Sequence, residues 1–231
     1  MESPKVTVYT VSHNYGKYLA EAIESVLRQS IGNWELLLFD NNSTDDTREI
    51  MDLYAGDPRI RIFGLDDGYT GNGISAIANT ALREARGEYL IRLDADDVFD
   101  DNILLVLAHH LDTHPETAIV FPDYYLMDNF GNIFAHERRQ SLFRRNYLFD
   151  MPPNGACTMI RTGVMEEVGG YREDLNAQDG FDIWSRIKEN HRCDNINIPL
   201  FYYRRHGDNM TQNSTRILSA RRQIKRDMSA I

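Results

Sequence analysis

Five carboxylates fall within the eight residues Asp94 to Asp101, in the stretch YLIRLDADDVFDD, directly after an alternating apolar run that reads as a strand. Acids crowded at a strand end repel one another, and they persist at low cost only when solvated or neutralised by a bound cation. If the strand continues through DADD, Asp94 and Asp96 lie on one side and Asp97 on the other, so the first two converge on one metal ion. The competing reading is a helix N-terminus, because NILLVLAHHL follows and its dipole favours acids in the preceding turn. A second cluster of acid and amide groups, Asp40 to Asn42, ends the run WELLLFD. A third lies in NAQDGFDIWSRI, where Asp179 stands just before a helical pattern.

Stepping along the chain, strand-like and helix-like segments alternate. KVTVYTV is β-branched and apolar, YLAEAIESVLRQS carries apolar residues at helical spacing, and WELLLFD reads as a second strand. STDDTREIMDLYAG follows as a helix with Ser43 or Thr44 as its cap and Gly56 as its stop. RIRIFGL is a third strand, SAIANTALREARG a third helix and EYLIRLDADD a fourth strand. Alternation of this kind implies an α/β fold, a mostly parallel central sheet with helices on both faces, in which ligands bind outside the carboxyl ends of the strands. The two acid clusters at Asp40 and Asp94 sit at such ends.

Composition narrows the function. The chain has 231 residues, 42% of them hydrophobic, enough for one large core. A formal charge of −10 argues against a nucleic-acid partner and means that an anionic substrate needs a local cation. Cys157 and Cys193 lack metal-ligand spacing and read as two reduced thiols, which points to a reducing compartment. No run reaches the ~18 apolar residues of a membrane span, and MESPKVTVYTV has no signal-peptide pattern.

Other acid chemistries fit less well. A calcium loop of the EF-hand type needs an acid or amide and then glycine where Val98 and Phe99 stand. LDADDV resembles the strand-end motif of haloacid-dehalogenase-like phosphatases, but those enzymes carry it on their first strand, and here Lys188 is the one suitable downstream lysine. A sugar nucleotidyltransferase would need a glycine-rich N-terminal loop, and TVSHNYGKYL is not one.

VTVYTVSHNYGKYLAEAIESVLRQSIGNWELLLFDNNSTDDT, GNGISAIANTALREARGEYLIRLDADD and GGYREDLNAQDGFDIWSRI, in that order, resemble the successive motifs of family 2 glycosyltransferases of the GT-A fold. Their joint occurrence over about residues 5 to 207 carries the likeness; an isolated Asp-x-Asp would not. The resemblance implies a GT-A domain over residues 1–207, with a nucleotide-binding half to about residue 100 and an acceptor and catalytic half beyond it. It implies an inverting transfer of sugar from a nucleotide-diphosphate sugar, a UDP-sugar in the first instance, to a glycan or lipid-linked acceptor. Thr10, Ser12, Asp40 and Asn42 would hold the nucleoside, and Asn79, Asp94, Ala95 and Arg204 would complete the donor site. For Asp40 the residues alone leave an Asx turn with NNST equally open. Asp96, with His206 from FYYRRHGDNMTQ, would bind Mn2+ or Mg2+. A divalent ion neutralises the diphosphate and the charge growing on the leaving nucleotide.

Two positions depart from the family pattern: DNNS replaces the usual DDGS, and IAN replaces ARN, leaving Ala78 where an arginine often approaches the donor. Both bear on donor identity. Asp179 matches the carboxylate that deprotonates the acceptor hydroxyl, with an N-cap of FDIWSRIKEN as the competing role. Asp182 and Trp184 would hold that helix. A non-catalytic sugar-nucleotide-binding subunit is the second functional class, and the joint presence of Asp94, Asp96 and Asp179 argues against it. The acceptor would meet the variable region DYYLMDNFGNIFAHERRQSLFRRNYLFDMPPNG. The basic tail, 208–231, is expected to be helical, either a solvated face or a peripheral contact with an anionic membrane. The expected location is the cytoplasm, with the inner face of the membrane as the surface the tail would meet.

Overall fold

The computed structural model describes residues 3–64, 73–139, 155–175, 177–207 and 214–228. Its first half is the expected alternation. Strands β1 (Val6–Ser12), β2 (Trp34–Asp40), β3 (Ile60–Phe63) and β4 (Tyr89–Arg92) run parallel, linked by helices α1 (Gly16–Leu27), α2 (Thr47–Asp52) and α3 (Ile74–Glu84). The second half adds β5 (Val98–Phe99), α4 (Ile103–Thr113), β6 (Thr117–Met127), β7 (Ile133–Glu137), β8 (Met159–Arg161), α5 (Thr162–Glu167), α6 (Asp179–Ile187), β9 (Arg192–Arg204) and α7 (Ser214–Met228). One sheet takes the order β3-β2-β1-β4-β8-β6-β9-β5, with β7 paired to β6. The parallel strands continue into an antiparallel zone where β8 joins β4 to β6.

The sheet divides the core in two. In β2, Leu36 and Leu38 pack with α1 and α4 through Leu19, Ile23, Leu104 and Leu107, while Leu37 and Phe39 pack with α3 and α6 through Ile77, Ala81 and Ile183. A strand buried on both faces reads as a near-continuous apolar run, hence Leu36 to Phe39 in WELLLFD, and the one buried acid in it, Glu35, accepts from Thr7 Oγ1 at 2.8 Å.

Local corrections follow from hydrogen bonds the pattern could not carry. Helix α2 is shorter than its expected span, and neither Ser43 nor Thr44 caps it. Ser43 Oγ accepts from Asn14 N at 3.0 Å, whereas Asp45 Oδ1 accepts from Thr47 N at 3.1 Å. Strand β4 stops at Arg92, so DADD is not its continuation: Asp97 N donates to Asp94 O at 3.1 Å and closes a turn before β5. The acids are not the cap of α4 either, since that helix begins at Ile103 after Asn102 and has no acid in its first turn.

Candidate active site

The carboxyl ends of β1, β2 and β4 open on one side of the sheet. The loops after β1 and β2 are stitched together: Asn41 N donates to Ser12 O at 2.8 Å and Thr44 N to Asn14 Oδ1 at 2.7 Å. Asn14 and Asn42 both adopt φ of 60°, a left-handed conformation that asparagine tolerates better than most residues. Thr10 and Ser12 share a face of β1 and are enclosed, and Ser12 Oγ is buried with no hydrogen-bond partner among the described residues. Asp40 Oδ1 accepts from Ser43 N at 3.0 Å, the Asx turn that was its competing reading, while the Asn42 side chain is exposed.

The DADD turn is gripped from behind by β9. Arg204 N donates to Asp97 Oδ1 at 2.8 Å and Arg204 Nε to Asp96 O at 2.8 Å, while its Nη2 meets Glu21 Oε2 at 2.5 Å. The guanidinium also lies 4.9 Å from the centroid of Tyr18. Arg204 is thus buried and spends its donors on the turn and on α1; its place in the site runs through the Asp96 peptide. Two residues on, His206 Nε2 lies 2.8 Å from Asp96 Oδ2, between the rings of Tyr15 and Tyr18. Ala95 is buried under the turn.

Carboxylate and imidazole suit a divalent ion such as Mn2+. Among the described residues, no group of three or more His, Cys, Asp or Glu side chains converges as a complete cage. Asp96 and His206 supply two donors of a kind that suits such an ion. Burial pushes the Asp94 carboxyl up to about 6 and repulsion from Asp96 and Asp179 adds to it, against the pull of Arg92. Burial, with repulsion from Asp96 and Asp94, also raises Asp97, whose Oδ2 has no hydrogen-bond partner among the described residues.

Asp179 reaches the cleft from the other half. It is the first residue of α6, and the cap position belongs to Gln178, whose left-handed φ of 64° turns the chain into the helix without a side-chain cap bond. Asp179 therefore caps nothing. Its Oδ2 accepts from Arg92 Nη1 at 2.5 Å, and Arg92 Nε lies 2.9 Å from Asp94 Oδ1, close enough for an ion pair though not aligned as a hydrogen bond. Arg92, Gly155, Thr158, Tyr171, Asp179 and Trp184 line a common pocket. Asp182 is buried and paired with Arg186 at 2.7 Å, and Trp184 packs in the core, so both hold the helix.

Asn79 stands apart. Its amide donates to Tyr171 O at 2.9 Å and Glu173 Oε1 at 2.8 Å, and its Oδ1 accepts from Tyr171 N at 2.7 Å. It ties α3 to the segment leading to Asp179. Arg92 is the residue that sequence reasoning missed; an arginine in an apolar strand directly before clustered acids is the signal that could have found it. Of the expected acceptor region, residues 140–154 lie outside the described residues, as does Asn176.

Comparison with known proteins adds to this geometry. The model of a family described as Glycosyl transferase family 2 matches residues 7–169. The chain is similar to the chondroitin synthase of Escherichia coli, with 26% identity over 207 residues, which are 89% of this chain and 30% of that protein. It is similar also to the putative glycosyltransferase EpsE of Bacillus subtilis, 30% identical over 212 residues, 89% of this chain and 74% of that one. Among solved structures, TarS 1–349 of S. aureus in complex with UDP-GlcNAc aligns with a TM-score of 0.72 at 19% identity, covering 91% of this chain and 61% of that one. The mannosyltransferase PcManGT of Pyrobaculum calidifontis, in complex with GDP-Man and Mn2+, aligns with a TM-score of 0.74 at 17% identity, covering 100% and 66%. These structures share its fold, the GT-A fold. The chain spans less than a third of the chondroitin synthase it resembles.

Proposed function

The chain belongs to glycosyl transferase family 2, and from that premise we propose that it moves a sugar from a nucleoside-diphosphate sugar to an acceptor hydroxyl with inversion at the anomeric carbon. The observation that carries this reading is the convergence of Asp94, Asp96 and Asp179 on one cleft, where Arg92 touches both Asp94 and Asp179. One acid group serves the donor and the other the acceptor.

Asp179 takes the proton of the acceptor hydroxyl as that oxygen attacks the anomeric carbon and the bond to the diphosphate breaks. A carboxylate suffices because departure of the diphosphate makes late, concerted proton removal adequate. Thr10, Ser12, Asp40 and Asn42 bound the nucleoside pocket, and a carboxylate at Asp40 can accept from a ring N–H of the base. Asp94 faces the ribose or the sugar. Asp96 and His206 would hold a divalent ion, which neutralises the diphosphate and the charge on the leaving group when bound. Fold neighbours in complex with UDP-GlcNAc, and with GDP-Man and Mn2+, support a donor of this class, with a UDP-sugar the first to try. Relatives named chondroitin synthase, hyaluronan synthase and teichuronic acid biosynthesis glycosyltransferase support an acceptor that is a growing glycan or its lipid-linked precursor. No helix among the described residues is long and apolar enough to cross a membrane.

The test is release of nucleoside diphosphate from a panel of UDP- and GDP-sugars with MnCl2 or MgCl2 and oligosaccharide acceptors. Asp179→Asn is expected to lower turnover by roughly 10²- to 10⁴-fold, the range of a positioned general base, without loss of donor affinity. Full turnover in that variant rejects Asp179 as the base, and a product whose anomeric proton coupling shows retention rejects the single displacement.

A further inference from the structure

Arg92 is given no step in the chemistry above, yet it is buried in the cleft and pairs with an acid on each side. It ends β4 with its side chain only 12% exposed, placing Nη1 2.5 Å from Asp179 Oδ2 and Nε 2.9 Å from Asp94 Oδ1. The slot it occupies is made by two glycines. A Cβ on Gly155 would sit 2.7 Å from Arg92 Nη2, and a Cβ on Gly180 would sit 3.0 Å from Gly155 Cα. Beside it the hydroxyls of Tyr9 and Tyr171 bond to each other at 2.9 Å. A guanidinium buried this far is costly unless its charge is matched, and a planar fork fixes the direction of the carboxylate it binds.

The consequence for Asp179 is geometric. At the first position of α6 a carboxylate would ordinarily turn towards the free N–H groups of the helix end. Arg92 draws it out of the helix and into the cleft. Among the described residues no hydrogen bond is made to Asp179 Oδ1, the oxygen left over once Oδ2 is anchored.

We propose that Arg92 is a positioning residue for glycosyl transfer: by anchoring Asp179 Oδ2 it aims Oδ1 at the acceptor hydroxyl and holds the base in register with Asp94 on the donor side. The assignment rests on Asp179 being the base. It explains why a cation lies between two acids that would otherwise repel each other, and why residues 155 and 180 are both glycine.

The experiment is a double-mutant cycle on the whole chain, with kcat, donor and acceptor KM, melting temperature and UDP binding in MnCl2 measured for Arg92→Met, Arg92→Lys, Asp179→Asn and Arg92→Met/Asp179→Asn. Arg92→Met is expected to lower kcat by about 10²-fold, the cost of a misplaced reacting group, with donor KM and UDP binding unchanged. Arg92→Lys is expected to recover part of that loss, and the double variant to be no slower than Asp179→Asn alone. Should Arg92→Met fail to fold, Gly155→Ala displaces the guanidinium while keeping its charge, and the same loss confined to kcat is expected. Losses that multiply in the double variant, or an effect on donor KM alone, overturn the positioning role while leaving the base in place. An Asp179→Asn chain with full turnover overturns both, and is told apart from the first failure by that single variant.

Discussion

His206 Nε2 lies 2.8 Å from Asp96 Oδ2, although 110 residues separate the two in the chain. Strand β9 makes the contact by binding the DADD turn through Arg204 before it releases His206 into the cleft. Both side chains are nearly enclosed, at 2% and 13% exposure, so a cation seated between them would be shielded from solvent. The expected outcome is that UDP or GDP raises the melting temperature of the chain in MnCl2, and that Asp96→Ala removes this gain and leaves the free protein folded. Ligands that bind only the native state stabilise it by mass action, so differential scanning fluorimetry reads the loss directly. An undiminished gain in Asp96→Ala would take the metal assignment down.

Asp94 gives a prediction about pH. Its carboxyl is raised to about 6, above the ~3.9 of an unfolded chain, so between those values the native state holds more protons than the unfolded one. Stability from this group is complete below about pH 4 and declines as pH rises towards 6. Asp94→Asn removes that penalty. Its melting temperature is expected to exceed that of the parent at pH 7.5 and to match it near pH 4, while donor binding weakens. A variant less stable than the parent at pH 7.5 would show that the ion pair with Arg92 outweighs burial.

What could be read from the residues, and what could not, divides along the range of the interactions. WELLLFD and KVTVYTV declare their strands because burial on both faces favours apolar and β-branched residues at nearly every position, and the order of the motifs conveys the sheet they build. The acids of DADD announce a site by composition. Their geometry was not legible: period-two reasoning extended β4 through Asp96, but the turn is set by Arg204, whose backbone reaches Asp97 from 107 residues away. Arg92 was silent for the same reason, since its meaning depends on Asp179 and on the space left at Gly155. Asn79 was legible only as a motif match, and its bonds to Tyr171 and Glu173, 92 and 94 residues away, could not be read from it.

Gly87 supplies a stability test far from the chemistry. A Cβ there would lie 2.4 Å from Thr7 N, and Thr7 cannot yield because it is held between β2 and β4. Gly87 N also donates to Thr7 Oγ1 at 2.9 Å, whose own hydroxyl donates to the buried Glu35 at 2.8 Å. Gly87→Ala therefore combines overpacking with disruption of a buried polar network and is expected to cost about 2 to 4 kcal/mol in urea unfolding. UDP binding by the folded fraction should be normal, since Thr7 lies at the end of β1 away from Ser12. A cost below about 0.5 kcal/mol, the range of ordinary surface substitutions, would contradict the packing described.

The C-terminal helix gives the last prediction. The basic tail forms the expected helix, and beneath its exposed face α7 buries Ala220 and Ile224, the latter in the core cluster that holds Phe181, Trp184 and Ile187. Its polar groups reach the segment leading to the proposed base. Arg221 Nε donates to Gln178 Oε1 at 2.7 Å, Gln223 Nε2 to Asp174 Oδ2 at 3.0 Å, and Asp227 pairs with Arg172 at 2.8 Å. Gln178 is the left-handed residue directly before Asp179, so α7 braces the turn on which the carboxylate is mounted. Ile224→Ala should destabilise by about 2 to 5 kcal/mol, as buried large-to-small changes do. Arg221→Ala should lower kcat severalfold with donor affinity intact, because a base displaced by a fraction of an ångström loses rate without loss of binding. Arg222→Ala, on the exposed side of the same helix, should leave both unchanged. If Arg221→Ala turns over as fast as Arg222→Ala, the helix stabilises the fold without tuning the site.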